Sequence, residues 1–157
     1  MVSKAVVIGA FVALFQENIE RTKSSLEITR QNAVDAPGSN VSHSDTSKFQ
    51  LSNLALGLEK RFNELTAIYN LLSLYNTSKI NKRGCGGCLI TLQNINTKEN
   101  ATYLLITREG GGDSLIVEEE KVIVVSIHAP IGKLLVGKEI GDEVLFQGKA
   151  FEIVDLQ

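Results

Sequence analysis

The chain reads as an α+β protein: an antiparallel helical hairpin followed by a small antiparallel β domain with one short helix. Three observations predict this. Apolar residues recur in a four-three alternation through two long stretches of the first half. A Pro-Gly breaker rich in Ser, Asn and Asp separates those stretches. Past residue 76 the pattern changes to short β-branched runs punctuated by Gly, Asn and Asp.

The first helical stretch runs from Lys4 to Ala33, with Ile8, Val12, Phe15, Ile19, Thr22, Leu26, Thr29 and Ala33 on one stripe. The second runs from Phe49 to Tyr75 and places Leu51, Leu54, Leu58, Leu65, Ile68, Leu72 and Tyr75 on a similar stripe, with Arg61 in one slot and Phe62 beside it. Such a seam marks helices that pack side by side. Between them, Val34 to Asp45 holds Pro37-Gly38 and the polar residues that end a helix, and Ser44 or Asp45 is placed to cap the second one. Thirty residues at a rise of ~1.5 Å make an arm of roughly 45 Å, much of it expected in solvent.

The second half offers strands at Cys88–Leu92, Thr102–Thr107, Ser114–Glu118, Lys121–Ile127, Glu143–Gln147 and Phe151–Leu156. Turns are expected at Asn94-Ile95-Asn96, Gly110-Gly111-Gly112-Asp113, Gly141-Asp142 and Gly148-Lys149. One helix interrupts them over Pro130–Val136, with Pro at its first turn and Gly137 closing it. The expected organisation is a hairpin over 1–76 with its tip near 34–48, a linker over 77–84, and a β-rich domain over 85–157.

Bulk properties narrow the function. The 157 residues are 43% hydrophobic and 22% charged, which argues against wholesale disorder. A net charge of −2 excludes a generally basic nucleic-acid binder. The local basic stretch Lys79 to Arg83 falls in the linker and reads as solvated. The apolar run Val6–Phe15 is about ten residues long, against the ~20 a bilayer crossing needs, and no small-residue cleavage site follows it. It reads as the buried stripe of a soluble helix, and a cytoplasmic protein with no membrane association is expected.

Several motifs look chemical. Cys85-Gly86-Gly87-Cys88 fits a loop entering the first strand, a reversible disulfide or half of a metal site. The remaining candidate ligands are only His43 and His128, too few for a structural zinc. Gly110-Gly111-Gly112-Asp113 lacks the spacing of a phosphate loop and reads as a hairpin loop. Glu118-Glu119-Glu120 reads as a solvated acidic corner, and no Ser/His/Asp constellation has supporting context.

The stretch from Ser126 to Val144, SIHAPIGKLLVGKEIGDEV, resembles the C-terminal domain of Gre-type transcription elongation factors. That family pattern is roughly I-S-x-x-S-P-x-G-x-x-L-x-G-K-x-x-G-D-x-V. The Pro130, Gly132, Gly137-Lys138 and Gly141-Asp142 spacings hold together, while Ala129 stands where the family usually has Ser. A helix cap worth ~1 kcal/mol is therefore expected to be missing. The N-terminal hairpin matches the family in layout.

The resemblance implies an FKBP-like C-terminal fold and a coiled coil that enters the secondary channel of bacterial RNA polymerase. It implies polymerase docking through Pro130, Lys133, Lys138 and Asp142. Cleaving members carry a D-x-x-E carboxylate pair at the tip that helps hold a second Mg²⁺, and this chain has no such pair. Asp35 and Asp45 are the available tip acids, as turn former and helix cap or as Mg²⁺ ligands shared with the polymerase. The resemblance implies no tightly bound cofactor, no catalysis of its own, and only indirect contact with nascent RNA and DNA, in a monomer or weak dimer. Two rival readings stay open: a hairpin that serves as a protein-interaction module, and a thiol-based redox protein using Cys85 and Cys88.

Overall fold

The computed structural model describes residues 2–36 and 42–157, the side chains of residues 42–46 excepted. Two long helices come first, α1 (Lys4–Asp35) and α2 (Ser42–Leu74). The strands β1 (Leu89–Asn94), β2 (Asn100–Ile106), β3 (Gly111–Val117) and β4 (Glu120–Ser126) follow. The short helix α3 (Pro130–Leu135) then leads into β5 (Glu143–Phe146) and β6 (Lys149–Leu156). The expected helical hairpin and β domain with one short helix are both present. The chain divides into two compact units, Ala13–Tyr69 and Met1–Val12 with Asn70–Gln157.

Within the first of these units, burial follows the heptad stripe on α1. Phe15, Leu26 and Thr29 are buried, and Ile19, Thr22 and Ala33 half-buried, while their flanking residues are mostly exposed. On α2 the expected slots at Leu51, Leu58, Leu65 and Ile68 hold, and the slots at Leu54 and Arg61 move by one position to Ala55 and Phe62. Leu54 is 54% exposed and Arg61 lies out in solvent, whereas Leu51, Ala55, Leu58 and Phe62 are half-buried and Leu65 and Ile68 buried. The 51-55-58-62-65 spacing is itself a four-three alternation, so the seam passes through the small Ala55 and leaves its larger neighbour outside. Arg30 of α1 pairs with Glu59 of α2 at 3.1 Å. Both partners are about half exposed, so the pair adds no more than ~1 kcal/mol. The second helix begins at Ser42, so Ser44 and Asp45 fall inside its first turn instead of capping it.

In the other unit a six-stranded sheet runs in the order β3-β4-β2-β1-β6-β5. Four strand pairs are antiparallel, but β2 and β4 are parallel, which corrects the all-antiparallel expectation. The cause lies in the β2–β3 connection. It carries the chain to the sheet edge instead of closing a hairpin, and β4 returns between β3 and β2. Gly110 to Asp113 is accordingly no hairpin loop. Gly111 already pairs with Val125, and an irregularity in register separates it from Ser114. A Cβ on Gly111 would come within 2.7 Å of the Val124 carbonyl oxygen, so this strand start requires glycine. The β3–β4 hairpin turn is Glu118-Glu119, within the acidic stretch expected to turn between strands, and both residues have positive φ, as the two-residue type I′ geometry demands.

The central strands are buried on both faces. Ile90, Leu92, Leu105, Val125 and Ile153 form one core with Ile131 and Leu135 of α3. Leu89, Leu104, Ile106, Val122 and Val124 are buried on the opposite face, where Thr91 and Thr102 bridge their hydroxyls at 3.1 Å. Val7, Ile8, Phe11 and Leu72, from the helix ends that share this unit, are buried too.

Gln157 performs a capping role that its position in the chain does not advertise. Its Oε1 accepts from the Lys4 backbone N–H at 2.8 Å, one of the unpaired amides at the start of α1. Its Nε2 donates to the Val2 carbonyl at 3.0 Å and to Asp155 at 2.8 Å. Gln157→Ala is expected to destabilise the chain by about 1–2 kcal/mol in urea denaturation. An unchanged midpoint would mean that water caps the helix equally well.

Candidate functional site

Three places on the chain carry the residues with chemical potential. The first is the end of α1. Asp35 closes that helix with an exposed side chain whose carboxylate oxygens accept from Gln31 Nε2 at 3.0 and 2.9 Å. The side chains of Asp45 and His43 lie outside the described residues. Among the described residues, no group of three His, Cys, Asp or Glu side chains is arranged to hold a metal ion. Asp35 is an exposed carboxylate at the end of α1.

The second place is the segment around α3. Pro130 begins the helix, and Ala129 before it has extended backbone but no side-chain cap, as its methyl group dictates. Ser126 supplies part of what is missing: its Oγ accepts from the His128 N–H at 3.1 Å and its carbonyl from the Ala129 N–H at 3.0 Å. Gly137, at φ 80°, ends the helix and donates to the Gly84 carbonyl at 2.8 Å, while Gly84 N–H donates to the Lys138 carbonyl at 2.8 Å. The Arg83–Glu139 pair at 2.7 Å extends this stitch, so the last residues of the expected linker are tied to the β domain.

Asp142 also has local work, accepting the Glu139 N–H at 2.9 Å to shape the turn into β5. Lys133 is exposed and Lys138 half-buried, both near α3. Pro130, Lys133, Lys138 and Asp142 therefore come together around one short helix, with Asp142 and Pro130 also serving the fold.

The third place is the loop Cys85-Gly86-Gly87-Cys88. Both cysteines are free, with Sγ atoms 3.0 Å apart. The Cys88 N–H donates to the Cys85 carbonyl at 3.0 Å, and the Cys85 N–H donates to Cys88 Sγ at 3.2 Å. Burial, aided by the hydrogen bond with Cys85, pushes the Cys88 thiol from 9.0 up to about 12. Tyr75 lies over the loop: its ring carbons are 3.1 Å from where a Cβ on Gly87 would stand, and its Oη accepts from the Thr107 N–H at 3.1 Å. A cavity of about 240 Å³ opens beside Cys85, lined also by Lys4, Tyr75, Lys79 and Asn81. Sequence reasoning missed Lys4 here, since nothing near residue 4 signals a buried ammonium.

The raised thiol has a consequence for stability. An unfolded cysteine ionises near 9.0, whereas folded Cys88 holds its proton to about 12. Its contribution is whole below pH 9 and is lost as pH rises toward 12. Half-buried Tyr103, also raised by burial, acts in the same direction at high pH. Under reducing conditions, the melting temperature of the wild-type chain is expected to fall more steeply above pH 9 than that of Cys88→Ala. Parallel curves would remove Cys88 as the cause.

No protein-family model matches the chain. It is 28% identical over 106 residues to the transcription elongation factor GreA of Francisella philomiragia, covering 64% of this chain and 62% of that protein. It is 31% identical over 104 residues to the GreA of Thermodesulfovibrio yellowstonii, covering 63% and 61%. The chain thus matches about three fifths of the length of these curated relatives. Among solved structures it resembles Gfh1 of Thermus aquaticus, with 17% identity, a TM-score of 0.38, and coverage of 99% of this chain and 96% of that one. Among the described residues, no helix is long and apolar enough to cross a membrane.

Proposed function

We infer that this chain, whose similarity to GreA proteins supports a place in the Gre-type transcription elongation factor family, is a cytoplasmic regulator that binds bacterial RNA polymerase. In this reading the helical hairpin enters the secondary channel, and Pro130, Lys133, Lys138 and Asp142 lie at the docking surface of the β domain. The chain has no catalysis of its own. Any RNA hydrolysis is the polymerase's, with Asp35 and Asp45 as the only tip acids able to share its Mg²⁺. Contact with nascent RNA and DNA is indirect, and the chain acts as a monomer or weak dimer.

The observation that carries this reading is the 28–31% identity with GreA over 106 and 104 residues. The carboxylates argue for channel occupancy over cleavage. Asp35 ends a helix with Gln31 as its partner, and no second acid follows it within the spacing that cleaving factors use.

The test adds the purified chain to backtracked elongation complexes of the host polymerase and scores binding and RNA shortening separately. Binding without shortening is the expected result. Shortening that disappears on Asp35→Ala or Asp45→Ala would make the chain a true cleavage factor. Absence of binding would sink the polymerase reading.

One observation favours a second reading, a protein-interaction hairpin. Phe49, Leu54 and Leu56 of α2 are 66%, 54% and 64% exposed, more apolar surface than a solvated helix needs. A tight dimer in analytical ultracentrifugation, abolished by Leu54→Lys, would favour that reading over polymerase binding.

A further inference from the structure

We propose that Cys85 and Cys88 are a dithiol modification site that a peroxide converts to an intramolecular disulfide, with Cys85 as the attacking sulfur and Cys88 as the resolving one. The site is independent of the polymerase reading. Two features of the loop support it: the two sulfurs are in contact, and only one of them is reachable.

Contact comes from the backbone. The turn that bonds Cys88 N–H to the Cys85 carbonyl brings the Sγ atoms to 3.0 Å, so closure needs only a small side-chain adjustment. Glycine at 87 helps to hold it, with φ 87° beneath the Tyr75 ring, and a Cβ on Gly86 would stand 2.1 Å from Thr107 Cγ2, so that side chain would have to turn away.

Access is unequal. Cys88 is fully buried, whereas Cys85 is half-buried and lines the cavity of about 240 Å³. That volume admits a peroxide or another small oxidant. The Lys4 ammonium, 3% exposed, lines the same cavity. It donates to the Lys79 carbonyl at 2.5 Å. The raised proton affinity of Cys88 fits the division of labour, since it keeps the buried sulfur from being the first to react.

The steps balance. The Cys85 thiolate attacks a peroxide oxygen, an S–O bond forms, the O–O bond breaks and hydroxide leaves, to be protonated to water. Cys88 Sγ then attacks Cys85 Sγ, the S–S bond forms and the S–O bond breaks. The departing hydroxide takes the Cys88 proton as a second water. Two thiols and one hydrogen peroxide thus give one disulfide and two waters.

The test exposes the reduced full chain to hydrogen peroxide, alkylates the remaining thiols and measures intact mass and peptides. Loss of both thiols together is expected, with a mass lower by two hydrogens, a cross-linked Cys85–Cys88 peptide and full reversal by dithiothreitol. Cys88→Ser is expected to stop at a sulfenic acid on Cys85 that dimedone traps. Cys85→Ser is expected to react at least ~10-fold more slowly, because its remaining thiol is buried and protonated. The proposal is overturned if the wild type keeps both thiols under peroxide, stalls as a sulfenic or sulfinic acid, or forms intermolecular disulfides instead. Unslowed oxidation of Cys85→Ser would overturn the assignment of the attacking sulfur. The wild-type mass result decides the disulfide itself even if a variant folds poorly.

Discussion

Gly132→Ala is expected to destabilise the chain by about 3 kcal/mol or more. A Cβ at this position would stand 2.0 Å from the Ser126 carbonyl oxygen, 2.9 Å from its carbon and 3.0 Å from the Ile127 Cα. All three are backbone atoms, so no side-chain rotation relieves the clash. The Ser126 carbonyl is also held by the Ala129 N–H. Relief requires α3 to lift from the end of β4, pulling Ile131 and Leu135 out of the core they share with Val125 and Val144.

With a urea slope of about 1–2 kcal/mol/M, the midpoint should drop by ~2 M. The matched control is Gly57→Ala in α2, where a Cβ meets nothing within 4 Å. There the lower backbone entropy of alanine is expected to stabilise by ~0.5–1 kcal/mol. If the two variants shift the midpoint alike, the close seating of α3 on β4 is wrong.

This result bears on how the family resemblance is to be understood. Pro130 starts α3, Gly132 permits its close approach to β4, Gly137 ends it at positive φ, and Gly141-Asp142 turns the chain into β5. Each of these letters has a folding reason. The motif therefore made the local fold legible from the sequence but says less about docking.

What else was legible followed from strong local periodicity. The four-three stripe of α1 and the positions of all six strands needed only neighbours in the chain. Strand order did not, because a short loop between β2 and β3 looks alike whether the next strand lies adjacent or one place further out. The one-position shift of the α2 stripe onto Ala55 was hidden by leucines on both sides of it, at Leu54 and Leu56. At the candidate sites, the cysteine spacing was visible, but the sulfur contact, the ammonium of Lys4 and the ring of Tyr75 come from parts of the chain far from residues 85–88. The cap that Gln157 provides for α1 spans 153 positions, beyond any local pattern.

The N-terminal apolar run gives the second large effect. Phe11→Ala is expected to cost about 3–5 kcal/mol, the range for removing a fully buried aromatic side chain. Phe11 is 0% exposed, and Val7 and Ile8 on the preceding turn are buried with it. The sequence reads Val6–Phe15 as the buried stripe of a soluble helix, about half as long as a bilayer crossing. A membrane segment would respond in the opposite way.

In a membrane segment every apolar position contributes similarly, whereas in a packed helix the loss depends on which side of the helix a residue occupies. Val6, 44% exposed, is the internal control, and Val6→Ala is expected to change stability by less than ~0.5 kcal/mol. The two variants are compared in water by urea denaturation, with far-UV circular dichroism as the probe. A difference of several kcal/mol between positions five residues apart would be the signature of a packed stripe. Equal effects at Val6 and Phe11 would mean that the helix start does not bury the face it presents here, and the pairing of Lys4 with Gln157 and Lys79 would fall with it.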